Sequence, residues 1–162
     1  MNIRPLGDRV HLAPVTVKSK RIDLLGARIG LFRKVIAVGR GQHSDCMNPG
    51  DIVALRQNIT DSLCLDDGTM MVPGSDVWCV LRGDSVYPVG HRAVILSDSD
   101  PEYMPSDGGI LLLKHDMDFP TTGTVNGRKC LFNNKSHQLR FCYAGRLWVV
   151  GDTVDTFVGW AE

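Results

Sequence analysis

The sequence predicts an all-β protein that consists of two similar units in tandem. The acidic residues are almost all aspartate, with 16 Asp against 2 Glu, and valine outnumbers alanine by 17 to 7. Glu and Ala favour helices, whereas Val favours strands. The 17 glycines and 8 prolines are spread along the chain, which is typical of short strands joined by turns.

The first half of the chain contains a regular succession of strand-like runs. Val10 and Leu12 alternate with polar neighbours at its start. Turn signals follow at 48–50 (Asn-Pro-Gly) and at 66–68 (Asp-Asp-Gly), the second of them typical of a hairpin. The remaining predicted strands are apolar runs at 34–39, 51–55, 70–72 and 77–81.

The second half repeats this plan. Residues 88–95 align with 5–12 at an offset of 83, and the Pro, Gly and Arg of the two segments coincide. The Gly-Thr-Val at 123–125 takes the place of the Arg-Lys-Val at 33–35. A further set of residues recurs at one gapless offset of 77, namely Gly68, Val72, Gly74 and Val77. A fixed offset of this kind indicates an internal repeat.

A rival register aligns 50–53 with 151–154. That register leaves the second unit without its last strands, and missing strands expose unpaired sheet edges. The gapless register is therefore preferred. It predicts a first unit at 1–82, a linker at 83–86 and a second unit at 87–162.

Charge and hydropathy exclude several functional classes. Eighteen basic residues balance eighteen acidic ones, so the chain has no overall attraction to nucleic acid or to an anionic membrane. It has no run of about 18 apolar residues that could form a membrane-spanning helix. The N-terminal residues lack the apolar stretch of a secretory signal, which predicts a cytoplasmic protein.

The reactive residue types form no recognisable centre. The five cysteines are odd in number and show no C-x-x-C spacing, so we expect reduced thiols rather than disulfides or a zinc site. No nucleophile elbow or paired-histidine metal motif is present. The sequence therefore predicts a protein that is not an enzyme and that needs no metal or cofactor.

Several segments resemble the GroES-like co-chaperonins. The opening Met-Asn-Ile-Arg-Pro-Leu-Gly-Asp-Arg-Val at 1–10 resembles the start of that family. The runs at 35–39 and 49–53 resemble its next strand and the strand after its roof loop, the loop at the top of each barrel. In the second half, Gly108, Gly109, Ile110, Leu111 and Leu112 resemble the anchor of the family's mobile loop.

The resemblance implies a small, irregular β-barrel for each unit, with a long mobile loop after its first strand. It implies a homo-oligomeric ring in which the N-terminal strand of one barrel pairs with the C-terminal strand of its neighbour. It also implies a role: the ring caps a large GroEL-type chaperonin in its nucleotide-bound state and encloses a client protein. The cap performs no chemistry.

The chain departs from the family in its roofs. Only residues 40–48 and 126–128 occupy the places of the usual long roof hairpins. This reduction resembles the co-chaperonins of some bacteriophages, which serve bulky capsid clients in the host cytoplasm. The tandem arrangement also resembles the double-barrel co-chaperonin of chloroplasts.

The loop of the second unit, at 97–122, combines two properties that capping requires. Its start is polar and acidic, so it cannot bury enough apolar surface to hold a fold by itself. Gly108 and Gly109 supply a hinge at low steric cost. Ile110, Leu111 and Leu112 then form a compact apolar anchor for the chaperonin.

The loop of the first unit, at 16–32, is basic and lacks the Gly-Gly pair. It offers two candidate anchors. Ile22, Leu24 and Leu25 form the first candidate. The second is the Ile-Gly-Leu-Phe at 29–32, which runs directly into the next strand and is more typical of core, so the first candidate is preferred.

A second function remains open at this point. A non-catalytic barrel of the same fold, including a viral one, could serve as a structural or assembly protein without binding a chaperonin.

Overall fold

The computed structural model describes residues 2–15, 22–23, 32–56, 59, 61–98, 103–105, 111–113, 121–133 and 138–161. Strands make up 56% of the structure and helix 9%, which confirms the predicted all-β class.

The described strands follow one another in short lengths with tight connections. In chain order they are β1 (Arg9–Pro14), β2 (Ile22–Asp23), β3 (Phe32–Val38), β4 (Ile52–Leu55), β5 (Leu63–Cys64), β6 (Met70–Pro73), β7 (Val77–Arg82), β8 (Ser85–Pro88), β9 (Arg92–Ser97), β10 (Tyr103–Pro105), β11 (Leu111–Leu113), β12 (Thr121–Val125), β13 (Arg128–Phe132), β14 (Leu139–Tyr143), β15 (Arg146–Asp152) and β16 (Phe157–Trp160). Helical turns lie at Ser44–Cys46 and Gly74–Asp76, and one short helix, α1, at Thr153–Thr156.

The strands form two seven-stranded antiparallel sheets and one separate two-stranded sheet. The first large sheet has the order β5-β6-β1-β3-β4-β7-β8. The second has the order β16-β13-β12-β9-β15-β14-β2. The small sheet consists of β10 and β11.

The two large sheets share one strand order over six strands. When β14, β15, β9, β12, β13 and β16 replace β5, β6, β1, β3, β4 and β7, the order of neighbours is the same. The turn glycines Gly68 and Gly145 occupy the same place, because one lies between β5 and β6 and the other between β14 and β15. Both have positive φ, at 80° and 73°. This correspondence agrees with the gapless register at that turn and disagrees with its rival.

The registers of the paired strands locate one difference between the repeats. Val10 pairs with Val72, whereas its counterpart Ala93 pairs with Gly151. Val72 thus corresponds to Gly151, an offset of 79, whereas Gly68 corresponds to Gly145, an offset of 77. The second unit therefore has two more residues between the turn and this pair. The gapless alignment fails beyond this point.

The chain divides into two compact units, one made of Met1–Lys18 and Arg28–Gly90 and the other of Ser19–Ala27 and His91–Glu162. The predicted linker at 83–86 is not a linker in the structure. Gly83, with φ of 62°, and Asp84 form the turn between β7 and β8, and Arg82 pairs with Ser85 across it. The division lies instead at Gly90, after the last strand of the first sheet.

Each unit has its own apolar core. In the first unit the alternation in β1 places Val10 and Leu12 inside, where both are fully buried. His11 is buried as well, at 4% exposure, because the other face of β1 is also covered. In the second unit Ile95 and Phe132 occupy the core with other buried residues. The buried residues of the first core are Val10, Leu12, Val35, Met47, Val53, Leu55, Met70, Val72, Val77, Val80 and Val89.

We expect Gly39→Ala to destabilise the first unit by about 1–3 kcal/mol, the usual cost of forcing extra atoms into a packed interior. A Cβ at Gly39 would lie 2.0 Å from the carbonyl oxygen of Gly7, which is backbone and has little freedom to move. Denaturant unfolding followed by circular dichroism measures the change.

Gly159→Ala is the matched control, because a Cβ there meets nothing within 4 Å. We expect it to change stability by less than about 0.5 kcal/mol. Equal stabilities of the two variants would contradict the close approach of the Gly39 and Gly7 backbones.

Candidate functional site

The predicted anchor of the second loop lies partly within the described residues. Gly108, Gly109 and Ile110 lie outside them. Leu111 and Leu112 belong to β11, where they pair with Pro105 and Met104 of β10. The backbone of these two leucines thus lies in a local hairpin that is separate from both large sheets.

The preferred anchor of the first loop is also only partly described. Leu24 and Leu25 lie outside the described residues, whereas Ile22 lies in β2 and pairs with Tyr143 of β14. Of the rival cluster, Phe32 is 2% exposed in the core of the first unit. That burial agrees with the interpretation of Phe32 as a core residue rather than part of an exposed anchor.

The two loop segments predicted from the sequence, 16–32 and 97–122, occupy the same place in the strand order. One follows β1 and the other follows β9, the corresponding first strands. In each case the chain returns to the strand that pairs with that first strand, because β1 pairs with β3 and β9 pairs with β12. The two segments are therefore insertions at one topological position.

The edge strand β8 belongs by sequence to the second repeat and by structure to the first sheet. Its residues 85–88 correspond to 2–5 at the offset of 83 that aligns the first strands. Yet β8 pairs with β7, the last strand of the first repeat, with Tyr87 opposite Val80. The N-terminal segment of one repeat thus pairs with the last strand of the preceding repeat. We call this pairing the seam.

The corresponding edge of the second sheet is open in the described part of the chain. The sheet order ends at β16, the counterpart of β7. Val158 and Trp160 on β16 are 53% and 42% exposed. The Arg128 guanidinium lies 4.1 Å from the centre of the Trp160 ring, which fixes the indole beside this edge. The counterpart of β8, at 2–5, is in no strand.

The first roof is short and is tied down by a carboxylate. Asp8 accepts hydrogen bonds from the backbone N–H groups of His43 and Ser44, at 3.1 and 2.8 Å. Its other oxygen lies 2.6 Å from His43 Nδ1. Partial burial raises the pKa of Asp8, but these hydrogen bonds outweigh it and hold the pKa below its ordinary value.

A second carboxylate fixes the other end of this roof. Asp51 accepts a hydrogen bond from Arg82 Nε at 3.0 Å and one from the Asn48 N–H at 2.8 Å. Burial raises the pKa of Asp51, and the contacts from Arg82 and Asn48 lower it to a net value below the ordinary one. The roof of the second unit is a two-residue turn at Asn126 and Gly127. The segments at 40–48 and 126–128 are thus both short in the structure.

These two carboxylate clusters escaped the sequence analysis. Asp8 and His43 are 35 residues apart, and Asp51 and Arg82 are 31 apart. Neither spacing follows a local motif. A weak signal was available in Gly39 and Gly41, since glycine outside a regular turn can mark a close backbone approach.

Within the described residues, no group of three His, Cys, Asp or Glu side chains is placed to hold a metal ion. Their helices are all too short to cross a lipid bilayer.

The sequence matches no protein-family model and no curated protein. The GroES-like resemblance therefore rests on the residues quoted above.

We expect Asp8→Asn to destabilise the first unit by about 1–2 kcal/mol at pH 7, since it removes charge-assisted hydrogen bonds from a partly exposed site. Because the pKa of Asp8 is lowered on folding, its stabilisation is complete above the ordinary value of 3.8 and is lost as the pH falls through the folded value. Chemical denaturation of both proteins at pH 7 and pH 3 measures the difference.

Asp84→Asn serves as the control, because Asp84 is exposed at the tip of the β7–β8 turn. It should leave stability nearly unchanged at both pH values. A wild-type advantage over Asp8→Asn that grows toward acid pH would contradict the assigned sign.

Proposed function

We propose that this chain is a tandem GroES-like co-chaperonin, whose ring caps a large GroEL-type chaperonin and encloses a client protein. One observation carries the proposal: two sheets of the same strand order each bear a long insertion after the first strand. The second insertion contains the Gly-Gly and apolar run that resemble the family's chaperonin anchor. In this proposal the protein acts without chemistry of its own, in the cytoplasm beside the chaperonin, where thiols such as Cys46 remain reduced.

The seam supports the proposed ring assembly. Within the chain, β8, the N-terminal segment of repeat two, pairs with β7, the last strand of repeat one. The same operation between chains would place residues 2–5 of one copy against β16 of another. Strand edges pair readily with added strands, so one such contact would pair residues 2–5 and the open edge of β16.

The repeat gives the register expected for this intermolecular pair. In the first sheet, Val80 pairs with Val53 on one side and with Tyr87 on the other. In the second sheet, the counterpart of Val53 is Cys130, which pairs with Trp160. Trp160 is therefore the counterpart of Val80. The counterpart of Tyr87 in the first repeat is Arg4. We therefore infer that Arg4 of one copy faces Trp160 of the next.

Ring assembly also explains how a weak loop can suffice. Burying three aliphatic side chains yields about 4.5–9 kcal/mol, at about 1.5–3 each. Ordering the loop costs about 2–5 kcal/mol. One loop alone then binds no more tightly than the micromolar range, and several loops on one ring bind together through avidity. A weak single contact permits release in each ATP cycle.

The short roofs suggest the class of client. A dome without long roof hairpins leaves more open space above the chamber, which would suit a bulky client such as a capsid protein of a bacteriophage. The roof of the first unit is held down by Asp8 and Asp51, and so it does not extend as a hairpin.

The direct test is size-exclusion chromatography of the protein with a chaperonin, including that of its natural host. We expect co-elution in ADP or a transition-state analogue of ATP, and none without nucleotide. If the protein forms a ring but never co-elutes, it is a structural barrel and the proposal fails.

Two substitutions test the loops separately. We expect Ile110→Asp and Leu24→Asp each to weaken chaperonin binding at least about tenfold, because each places a charge in an apolar anchor. Val154→Asp is the control, since Val154 is 90% exposed and lies outside both loops. Full affinity in either loop variant would remove that loop from the binding surface.

A disulfide tests the intermolecular register. Val86 pairs with Leu81 within the chain. The counterpart of Val86 is Ile3, and the counterpart of Leu81 is Ala161. Ile3 of one copy should therefore face Ala161 of the next. We expect Ile3→Cys combined with Ala161→Cys to give covalent oligomers under mild oxidation, because residues opposite each other in a sheet satisfy disulfide geometry. Non-reducing electrophoresis shows the ladder.

The control combines Leu6→Cys with Ala161→Cys. Leu6 is 80% exposed, so its thiol reacts freely, but it lies three residues out of register. Equal ladders in the two double variants would contradict the proposed register.

A further inference from the structure

We propose that the segment containing β2 is a strap: it occupies the edge of β14 and must leave that edge before the first loop can bind a chaperonin. The pairing of the strap with β14 stands independently of the proposed function. Its competition with the chaperonin rests on that function.

The pairing register places the strap. Asp23 lies opposite Cys142, and Ile22 lies opposite Tyr143, in antiparallel orientation. The second sheet therefore ends at β2 rather than at β14. Ile22 is also a residue of the anchor predicted for the first loop, so the same residue has two competing uses.

The burial of β14 agrees with this pairing. β14 and β5 are counterparts in the two sheets, each beside the hairpin partner that follows it. Both residues of β5 are exposed, with Leu63 at 59%. In β14, four of five residues are buried, with Cys142 at 8% and Tyr143 at 6%. Thus β5 is a sheet edge in the described chain, whereas β14 is a covered strand.

Two residue pairs join the described residues of the strap to β14. In the described sheet β2 is the end strand. Peripheral elements of this kind open locally at a lower free-energy cost than the strands of a core. A chaperonin that binds the apolar residues of the first loop could displace it by mass action.

The two loops of the chain are then unequal. The described part of the second loop pairs only with itself, in the β10–β11 hairpin. The first loop contributes a strand to a large sheet. We therefore infer that the second loop binds the chaperonin first and that the first loop follows after it is released.

The native Cys142 allows a direct test of the strap. Asp23→Cys places a second thiol opposite Cys142. We expect a disulfide between these two residues under mild oxidation, at a rate that does not depend on protein concentration. Peptide mapping by mass spectrometry identifies the pair.

Ala27→Cys is the matched control, since it places a thiol in the same loop but four residues away from the paired position. A bond to Cys142 that forms as fast from Ala27→Cys as from Asp23→Cys would overturn the strap. So would the absence of the bond from Asp23→Cys. Asp23→Cys combined with Cys142→Ser should form no such bond.

The chaperonin experiment separates the strap from the proposed function. We expect the oxidised Asp23→Cys protein to bind several-fold more weakly than the same protein after reduction. Equal binding of the two forms would overturn the competition. If the disulfide forms but the wild-type protein never binds a chaperonin, the strap stands and the proposed function fails.

Discussion

The antiparallel pairing of β8 with β7 is the interaction on which the proposed assembly depends. It adds the N-terminal segment of the second repeat to the edge of the first sheet, where β8 is the last strand. The last strand, β16, offers the same kind of edge, with Val158 and Trp160 exposed. Because an open edge binds added strands, the rule that joins two repeats within the chain can also join two chains.

The proposed function follows from what such an assembly does to weak contacts. A single apolar anchor that must first be ordered binds poorly, and many anchors on one rigid ring bind well. The sheets supply the rigidity, and the short roof of the first unit is pinned by Asp8 and Asp51. In the proposed function, the strap at Ile22 makes the two loops differ, because the anchor of the first loop has to be released before it binds.

Local patterns predicted the strands and turns well, since valine-rich runs and turn glycines such as Gly68 act over a few residues. They failed where distant partners decide the structure. The Arg-Gly-Asp-Ser at 82–85 has the composition of a linker, yet pairing across it makes a hairpin turn. The contacts of Asp8 with the first roof and of Ile22 with β14 join residues far apart in sequence, and no spacing rule anticipates them.

Native mass spectrometry of the free protein is the most direct test of the proposed ring, since the mass of the assembly reports whether the edge of β16 is used. We expect one dominant closed oligomer whose mass is a small multiple of the 17.8 kDa chain. Deleting residues 2–5 should convert it to the single chain. A wild-type protein that remains monomeric at micromolar concentration, or an oligomer unaffected by the deletion, would contradict ring assembly through β16.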